Sequence, residues 1–173
     1  MSTFCYHRSV TSRERVRWLA PDQERAWRTW LRLGWLLDAA IGRDLAAFGL
    51  SHADYYVLVQ LSEAPGRRMR MSELAAGIAW SRSRVSHQVA RMERRGLVRR
   101  TDCEGDARGT YAELRPAGLR AIEGAAPGHV ASIRRHFLDR LTPDSIAAIT
   151  AIGEQVLPGL EGGGEQDGCA TIE

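Results

Sequence analysis

Apolar residues recur at three- and four-residue intervals over most of this chain, with polar residues between them. This period is typical of helices that bury one face. We predict that a long first helix opens at Pro21, where a proline costs no hydrogen bond, and closes at Gly49. Its regularly spaced positions are Trp27, Trp30, Leu31, Gly34, Leu37, Ile41, Leu45 and Phe48.

A second helix is predicted to follow at once. The stretch Ser51-His52-Ala53-Asp54 resembles a capping box, in which two side chains satisfy backbone N–H groups of the first turn. We expect the helix to end at Glu63-Ala64-Pro65-Gly66, with its buried side formed by Tyr55, Leu58 and Val59.

The pattern becomes shorter and more basic between Met71 and Gly109 (MSELAAGIAWSRSRVSHQVARMERRGLVRRTDCEGDARG). Two short helices are predicted, capped by Ser72 and Ser81, and a short edge strand at Arg70-Met71 precedes them. Gly96 is free to take the left-handed conformation that ends a helix, and a strand begins directly after it. Two helices followed by a two-stranded ribbon are the order of a winged helix-turn-helix, which usually reads duplex DNA.

The last third of the chain returns to the helical period. Pro116 opens a helix that we expect to break or kink at Pro127-Gly128. Thr142-Pro143-Asp144 starts a final helix whose apolar face carries Ile146, Ile149, Ile152, Val156 and Leu160. The predicted fold is mainly α: a winged helix-turn-helix with a small three-stranded sheet and wing, plus N- and C-terminal dimerisation helices. Because so small a domain cannot cover both outer helices, we predict a homodimer.

We predict three segments: an N-terminal arm over 1–20, a domain over 21–160 with its DNA-binding part at about 51–115, and a disordered tail over 161–173. No apolar run approaches the roughly 20 residues that span a bilayer, and the N-terminus lacks the apolar segment of a secretory signal. We therefore expect a cytoplasmic protein with no membrane partner and with reduced cysteines. The sequence shows no nucleotide-binding loop and no nucleophile-elbow serine, so neither an enzyme nor a cofactor is expected.

Charge is concentrated in the predicted DNA-binding part. Residues 67–108 hold 11 arginines against 5 acidic residues, a net charge of +6, whereas the whole chain carries +3 and the remainder therefore −3. A basic segment in an otherwise acidic chain is typical of a nucleic-acid contact. Every basic residue is arginine, which genomic base composition explains most simply, but the planar guanidinium still suits phosphates and guanine edges.

The fourth helix is the predicted recognition helix. At about 100° per residue, Val85, Val89 and Met92 share one stripe and should face the core. The other side is small, polar and basic, which lets a helix enter a major groove; the alternative is an ordinary solvated face. The predicted DNA contacts in and before this helix are Arg70, Ser72, Ser81, Arg82, Ser83, Arg84, Ser86, His87, Arg91 and Arg94.

The stretch SELAAGIAWSRSRVSHQVARMERRGLVRR, followed by DARG, resembles the MarR family of bacterial transcriptional regulators, and the likeness covers about Asp22 to Leu160. Asp106-Ala107-Arg108-Gly109 resembles the family's wing signature in its D-x-R part, with a glycine directly after the arginine. The resemblance implies that Arg108 enters the minor groove while Asp106 orients the loop. It also implies homodimers on pseudo-palindromic double-stranded DNA, usually repressing adjacent genes until a small molecule or an oxidant weakens binding. The chain departs from the family at Leu114-Arg115-Pro116, where threonine commonly precedes the helix.

The sequence says less about what would release such a regulator from DNA. The resemblance implies a pocket for a small aromatic or phenolic acid, and we assign to it the aromatic residues and histidine of the first two helices; the alternative is that these rings are simply core. The assigned residues are Trp27, Trp30, His52, Tyr55 and Tyr56.

Three alternatives remain open at this point. Cys103 lies among wing arginines, where a thiol can be reactive, so a redox-sensing regulator is one of them. Against it, the resemblance implies a reactive cysteine near the start of the first helix, but residues 21–28 hold none, Cys5 lies well before them and Cys169 lies in the tail. A nonspecific architectural DNA-binding protein is the second. The third is metal sensing by His129 and His136, but seven helical residues separate them by about 10 Å, so one ion cannot bridge them and no metal site is predicted.

Overall fold

The computed structural model describes residues 16–103 and 106–161, with the backbone alone for 103 and 106–108. The chain divides into two compact units, Met1–Leu36 and Leu37–Glu173. The described residues form six α-helices and one three-stranded sheet. The helices are α1 (Pro21–Ala46), α2 (His52–Glu63), α3 (Met71–Gly77), α4 (Arg82–Arg94), α5 (Pro116–His136) and α6 (Pro143–Glu161); the strands are β1 (Arg68–Arg70), β2 (Val98–Cys103) and β3 (Asp106–Leu114).

The sheet is antiparallel with the order β1-β3-β2, so the long strand β3 lies in the middle. Met69 pairs with Ala112, and Val98 pairs with Leu114. The register shifts between Asp102 and Cys103, near the tip of the β2–β3 ribbon. Helices α3 and α4 followed by this ribbon are the predicted winged helix-turn-helix, and the mainly helical fold class is confirmed.

The hydrophobic core lies in the second unit. It joins the C-terminal half of α1 to α2, α3, α4, the base of the sheet and α5. Its fully buried side chains include Val57, Leu58, Leu61, Leu74, Val85, Val89, Met92, Val98, Ala112 and Ala125. This single core holds the predicted recognition helix against both the sheet and α2.

Local cap signals predicted several boundaries correctly. Helix α1 starts at Pro21, and Ser51 and Asp54 form a complete capping box at the start of α2. Ser81 caps α4 by accepting a hydrogen bond from the Arg84 N–H at 3.3 Å. Gly96 follows α4 with φ of +73°, the left-handed conformation expected there.

Two boundaries around α3 were predicted wrongly. Ser72 lies inside α3, and the cap position belongs to Arg70, which also ends β1. The physical reason is that the Glu73 carboxylate accepts from the Arg70 N–H at 3.1 Å, which fixes the start of the helix one turn before that carboxylate. Met71 therefore belongs to the helix and not to the strand.

Other predictions about the helices also need correction. Helix α1 ends at Ala46, so Phe48 lies in the turn after it. Val59 lies on the predicted side of α2 and packs against the core, but it is half-buried rather than buried. Of the break or kink predicted at Pro127-Gly128, the break does not occur, because α5 is continuous from Pro116 to His136. Ala125 and Ser132, on either side of the proline, are both fully buried. Glu161 ends α6, and the rest of the predicted tail lies outside the described residues, as does most of the predicted arm.

The outer helices expose apolar side chains. In the first unit, Trp27, Trp30 and Trp35 are 54%, 59% and 70% exposed. Helix α6 has no buried residue, and Ile152 and Val156 are half exposed. Neither these helices nor any other in the described part of the chain has the length and apolarity needed to cross a membrane.

Candidate nucleic-acid interface

Helix α4 is fixed on the core by one face. Val85, Val89 and Met92 are fully buried, as their spacing predicted, and Gln88 joins them with only 2% of its surface exposed. Ser81 caps the N-terminus of the helix, and Gly96 turns the chain into β2. Because the inner face is set by close packing, the direction of the outer face is set as well.

The outer face of α4 presents the residues that the sequence assigned to DNA. Arg82, Ser83, Arg84 and Ser86 are exposed at the N-terminal half of the helix. The remaining exposed members of this face are His87, Arg91 and Arg94. Among the described residues, none of its four arginines has an ion-pair partner, so the face is cationic. Contact with DNA remains a prediction.

The arginines near this face are of two kinds: some form ion pairs inside the domain, and the others are exposed without an ion-pair partner among the described residues. Arg95, Arg99 and Arg100 form ion pairs with Asp54, Glu113 and Glu93 at 2.8–2.9 Å. The Arg100 backbone N–H donates to Glu93, and this bond, with the Arg100 side chain, lowers the pKa of that carboxyl. The Arg100 pair therefore joins β2 to α4, the Arg99 pair joins β2 to β3, and the Arg95 pair joins the end of α4 to α2. The four arginines of the outer face have no ion-pair partner among the described residues.

Two arginines of the outer face are oriented by neighbours. The Arg84 guanidinium lies 3.9 Å from the centre of the Trp80 ring, a cation–π contact. Arg91 donates to the side-chain carbonyl of Gln88. The Ser81 and Ser83 hydroxyls lie 3.1 Å apart at the start of the helix.

A groove of about 400 Å³ lies between the starts of α3 and α4 and the sheet. It brings together the predicted residues Arg70, Ser72, Arg82 and Ser86 with residues of β2 and β3 (Arg100, Gly109 and Thr110). Ser72 is thus at the predicted surface although it is not a cap. Arg100 was missed, because its place in the groove depends on strand pairing, which links it to Ala112 of β3.

The wing is described in its backbone and not in all of its side chains. Asp106 and Arg108 lie at the start of β3, directly after the tip of the ribbon. Their side chains lie outside the described residues, as do those of all three cysteines. The wing-arginine and cysteine assignments therefore remain predictions.

A second group of residues lies between α2, α3 and α5. The His52 ring stacks on Tyr56 with centroids 4.5 Å apart, and Tyr55 lies 4.0 Å from the ring of His129. Burial, together with nearby His52, lowers the pKa of His129. A groove of about 430 Å³ is lined here by Tyr55, Tyr56, Val59, Gln60, Gly77, Ile78 and His129.

This groove includes only part of the predicted effector site. Tyr55 and Tyr56 line it, and His52 stacks against its wall, whereas Trp27 and Trp30 belong to the first unit and are exposed there. His129 was missed as a member because α5 reaches α2 only through tertiary packing.

Metal binding finds no support among the described residues, which contain no group of three potential His, Cys, Asp or Glu ligands. His136 instead contacts Asp44, with 2.9 Å between its Nε2 and a carboxylate oxygen. Ser132 and Arg135 donate to the same oxygen at 2.6 and 2.7 Å. These bonds join α5 to the end of α1.

The geometry thus defines a winged helix-turn-helix with a cationic recognition helix, and comparisons with known proteins agree. The sequence profile of the MarR family matches residues 48–109. The chain is 46% identical to AbsC, a MarR family transcriptional regulator from Streptomyces coelicolor, over 85% of this chain and 99% of AbsC, with a TM-score of 0.79. Sco3205, a MarR family transcriptional regulator from the same organism in complex with DNA, is 40% identical over 86% of this chain and 93% of its own, with a TM-score of 0.80.

A curated relative, the HTH-type transcriptional regulator PrsX of Escherichia coli, is 29% identical over 83 residues, 48% of this chain. The matched part spans about half, 50%, of the length of that relative. All these relatives are transcriptional regulators rather than enzymes. The chain belongs to the MarR family of transcriptional regulators.

Proposed function

We propose that this protein is a sequence-specific regulator that binds duplex DNA as a homodimer. The observation that carries the proposal is the outer face of α4, whose arginines are exposed and have no ion-pair partner among the described residues, while the inner face is packed into the core. A DNA complex of the 40%-identical Sco3205 supports the same role.

In this proposal α4 enters the major groove. Small side chains at Ser83 and Ser86 allow close approach of the helix, and Arg84 and His87 then reach base edges. Arg70 and Arg82, which line the groove beside the helix, contact phosphates. Arg108 extends from the wing into the adjacent minor groove.

The homodimer is part of the proposal. Helix α6 presents Ile146, Ile152 and Leu160 with 43%, 56% and 70% of their surfaces exposed, and the tryptophans of the first unit are similarly open. Surfaces of this kind are covered by another apolar surface in a stable protein. A second copy of the chain supplies one by symmetry and delivers two recognition helices to half-sites about one helical turn apart, roughly 34–36 Å.

Selection of bound duplexes from a random DNA pool tests the function. We expect a pseudo-palindromic sequence bound about a thousandfold more tightly than unrelated duplex at the same salt concentration. Equal affinity for all duplexes would instead indicate a nonspecific architectural protein. Sedimentation of the protein–DNA complex then gives two chains per site.

The contact residues are tested by substitution on the selected duplex. Arg84→Ala should weaken binding about tenfold or more, and Arg108→Ala should weaken it and reduce the slope of affinity against salt. Arg120→Ala, an exposed arginine of α5, is the matched control and should change nothing. If the Arg84 and Arg108 variants bind like this control, the assigned interface is wrong.

We further propose that a small aromatic or phenolic acid binds the groove between α2, α3 and α5 and weakens DNA binding, so that the protein acts as a ligand-responsive repressor of adjacent genes. The groove offers aromatic walls from Tyr55 and Tyr56, and the His129 Nδ1 is buried without a hydrogen-bond partner among the described residues. An acid group would give that nitrogen a partner.

Titration with salicylate-like and phenolic acids, read by operator binding and tryptophan fluorescence, tests this second proposal. We expect wild-type protein to release the selected duplex and His129→Gln to retain it at the same acid concentration. If no such acid changes operator affinity, the effector proposal fails while DNA binding stands.

A further inference from the structure

A buried carboxylate lies behind the recognition helix. Asp54, in the first turn of α2, is only 3% exposed. One of its oxygens accepts from the Ser51 N–H, the Ser51 hydroxyl and Arg95, each at 2.8 Å. The other accepts from the side-chain amide of Gln88 at 2.7 Å. Asp54 thus joins α2 to the middle of α4 and to the residue directly after it.

The amide of Gln88 carries this connection to the outer face. Its NH₂ group is used by Asp54, and its carbonyl oxygen accepts from Arg91. An ionised carboxylate only accepts hydrogen bonds. If the Gln88 amide rotated by half a turn, its carbonyl oxygen would face a carboxylate oxygen of Asp54, and the two oxygens would repel each other. Its carbonyl is therefore always presented to the guanidinium of Arg91.

We propose that Asp54 and Gln88 are positioning residues for DNA recognition, which hold Arg91 in one orientation for the bound duplex. The inference rests on the proposed DNA-binding function and deepens it. Neither residue touches DNA, because both are buried. Their effect is to order Arg91 before binding, so that less side-chain freedom is lost when the duplex arrives.

The same carboxylate also fixes how α4 lies in the domain. Arg95 bonds to Asp54 and to the Gly49 carbonyl, at 2.8 and 2.5 Å. A rotation of α4 about its axis would break the bonds at Gln88 and Arg95 together. Burial alone would raise the pKa of Asp54, but the bonds from Ser51 and Arg95 outweigh it and hold the pKa below its usual value. The network therefore stays charged and fully bonded at neutral pH.

A double-mutant cycle on the selected duplex tests this role. Gln88→Met keeps the length and the apolar contacts of the side chain but removes both hydrogen bonds. We expect it to weaken binding about fivefold in the wild-type background and less than twofold when Arg91 is already alanine. The matched control is the Arg84→Ala background, where the fivefold loss should persist because Arg84 packs on Trp80 and not on Gln88.

A second readout does not depend on DNA. In nuclear magnetic resonance relaxation of the arginine side chains, Arg91 should be ordered in the wild type, and Gln88→Met should make it as mobile as Arg94. Asp54→Asn should have the same effect: its one remaining oxygen is held by the donors from Ser51 and Arg95, so its NH₂ group faces the NH₂ group of Gln88 and removes the acceptor that orients that amide. It gives a second variant should Gln88→Met fold poorly.

The outcomes separate the two proposals. If the wild type prefers no DNA sequence while Arg91 loses order on substitution, the proposed function fails, whereas the ordering of Arg91 by Asp54 and Gln88 stands. If Gln88→Met weakens binding equally in all three backgrounds and leaves the mobility of Arg91 unchanged, the positioning inference is overturned.

Discussion

Gly118 is the position where α5 approaches the base of the wing most closely. A Cβ added there would lie 2.2 Å from the Leu97 carbonyl oxygen, 3.1 Å from its carbon and 2.8 Å from a methyl group of Leu114. The Leu97 oxygen is held in place because it accepts from the Arg115 N–H at 3.0 Å. Replacement of Gly118 by alanine therefore requires a backbone shift.

The sign of the effect follows from comparing three magnitudes. Alanine in a helix gains about 0.5–1 kcal/mol over glycine. Overpacking costs about 1–3 kcal/mol, and weakening the bond between Arg115 and Leu97 costs about 0.5–1.5 kcal/mol more. We expect Gly118→Ala to lower the free energy of unfolding by about 0.5–4 kcal/mol, despite the better helix propensity.

Gly124 of the same helix is the matched control, since nothing lies within 4 Å of an added Cβ. Gly124→Ala should raise the free energy of unfolding by about 0.5–1 kcal/mol. Urea unfolding at one fixed protein concentration measures both variants, because dimerisation makes stability depend on concentration. If both substitutions stabilise the protein equally, the close packing of α5 against the Leu97 carbonyl is refuted.

Three further predictions concern single residues. Trp80→Leu removes the ring beneath Arg84, a contact worth about 0.5–1 kcal/mol, so the affinity for the selected duplex should fall about two- to fivefold; fluorescence anisotropy measures it, and no loss in Trp80→Leu would show that the ring does not orient Arg84. Gly96 has φ of +73° with open space around it, so Gly96→Ala should lower the free energy of unfolding in urea by about 1–2 kcal/mol because of backbone strain alone, and Gly96→Asn should lower it less. Equal stability of the wild type and both variants would show that this position is not strained. The bonds from Ser132, Arg135 and His136 lower the pKa of Asp44 from 3.8 to about 2. The stability that Asp44 contributes is therefore present above pH 4 and lost as the pH falls toward 2. Asp44→Asn should flatten this part of the curve when the midpoint of thermal unfolding is measured against pH.

The features predicted correctly are those that neighbouring residues determine. Ser51 and Asp54 form their capping box within three residues, and the caps at Ser81 and Gly96 are equally local. The error at Ser72 was also local: a serine is a common cap, but Glu73 satisfies the Arg70 N–H instead. Two competing caps of similar strength, one turn or less apart, cannot be ranked from sequence spacing alone.

What could not be predicted depends on contacts between distant residues. Gln88 reads as one more polar position on a basic helix, and only the packing of α2 against α4 gives it Asp54, 34 residues away, as a partner. The same holds for His129, which α5 brings to Tyr55. For Trp27 and Trp30 the spacing indicated an apolar helix face, but spacing does not tell which surface covers such a face, and both rings are exposed on the single chain.

The recognition helix shows how the inner face of an element limits what its outer face can do. Successive residues on α4 are about 100° apart, so any shift that gave the outer arginines a new direction would have to move Val85, Val89 and Met92 out of their fully buried sites. Gln88 adds a hydrogen bond to these apolar contacts, and its amide reaches the Asp54 carboxylate only in the observed orientation of the helix. Substitutions at Arg84 or His87 change the chemistry presented to a base and leave this frame intact. We therefore expect altered operator preference to come from substitutions at the exposed positions, and a moderate loss of affinity without a new preference from substitutions at Asp54 or Gln88.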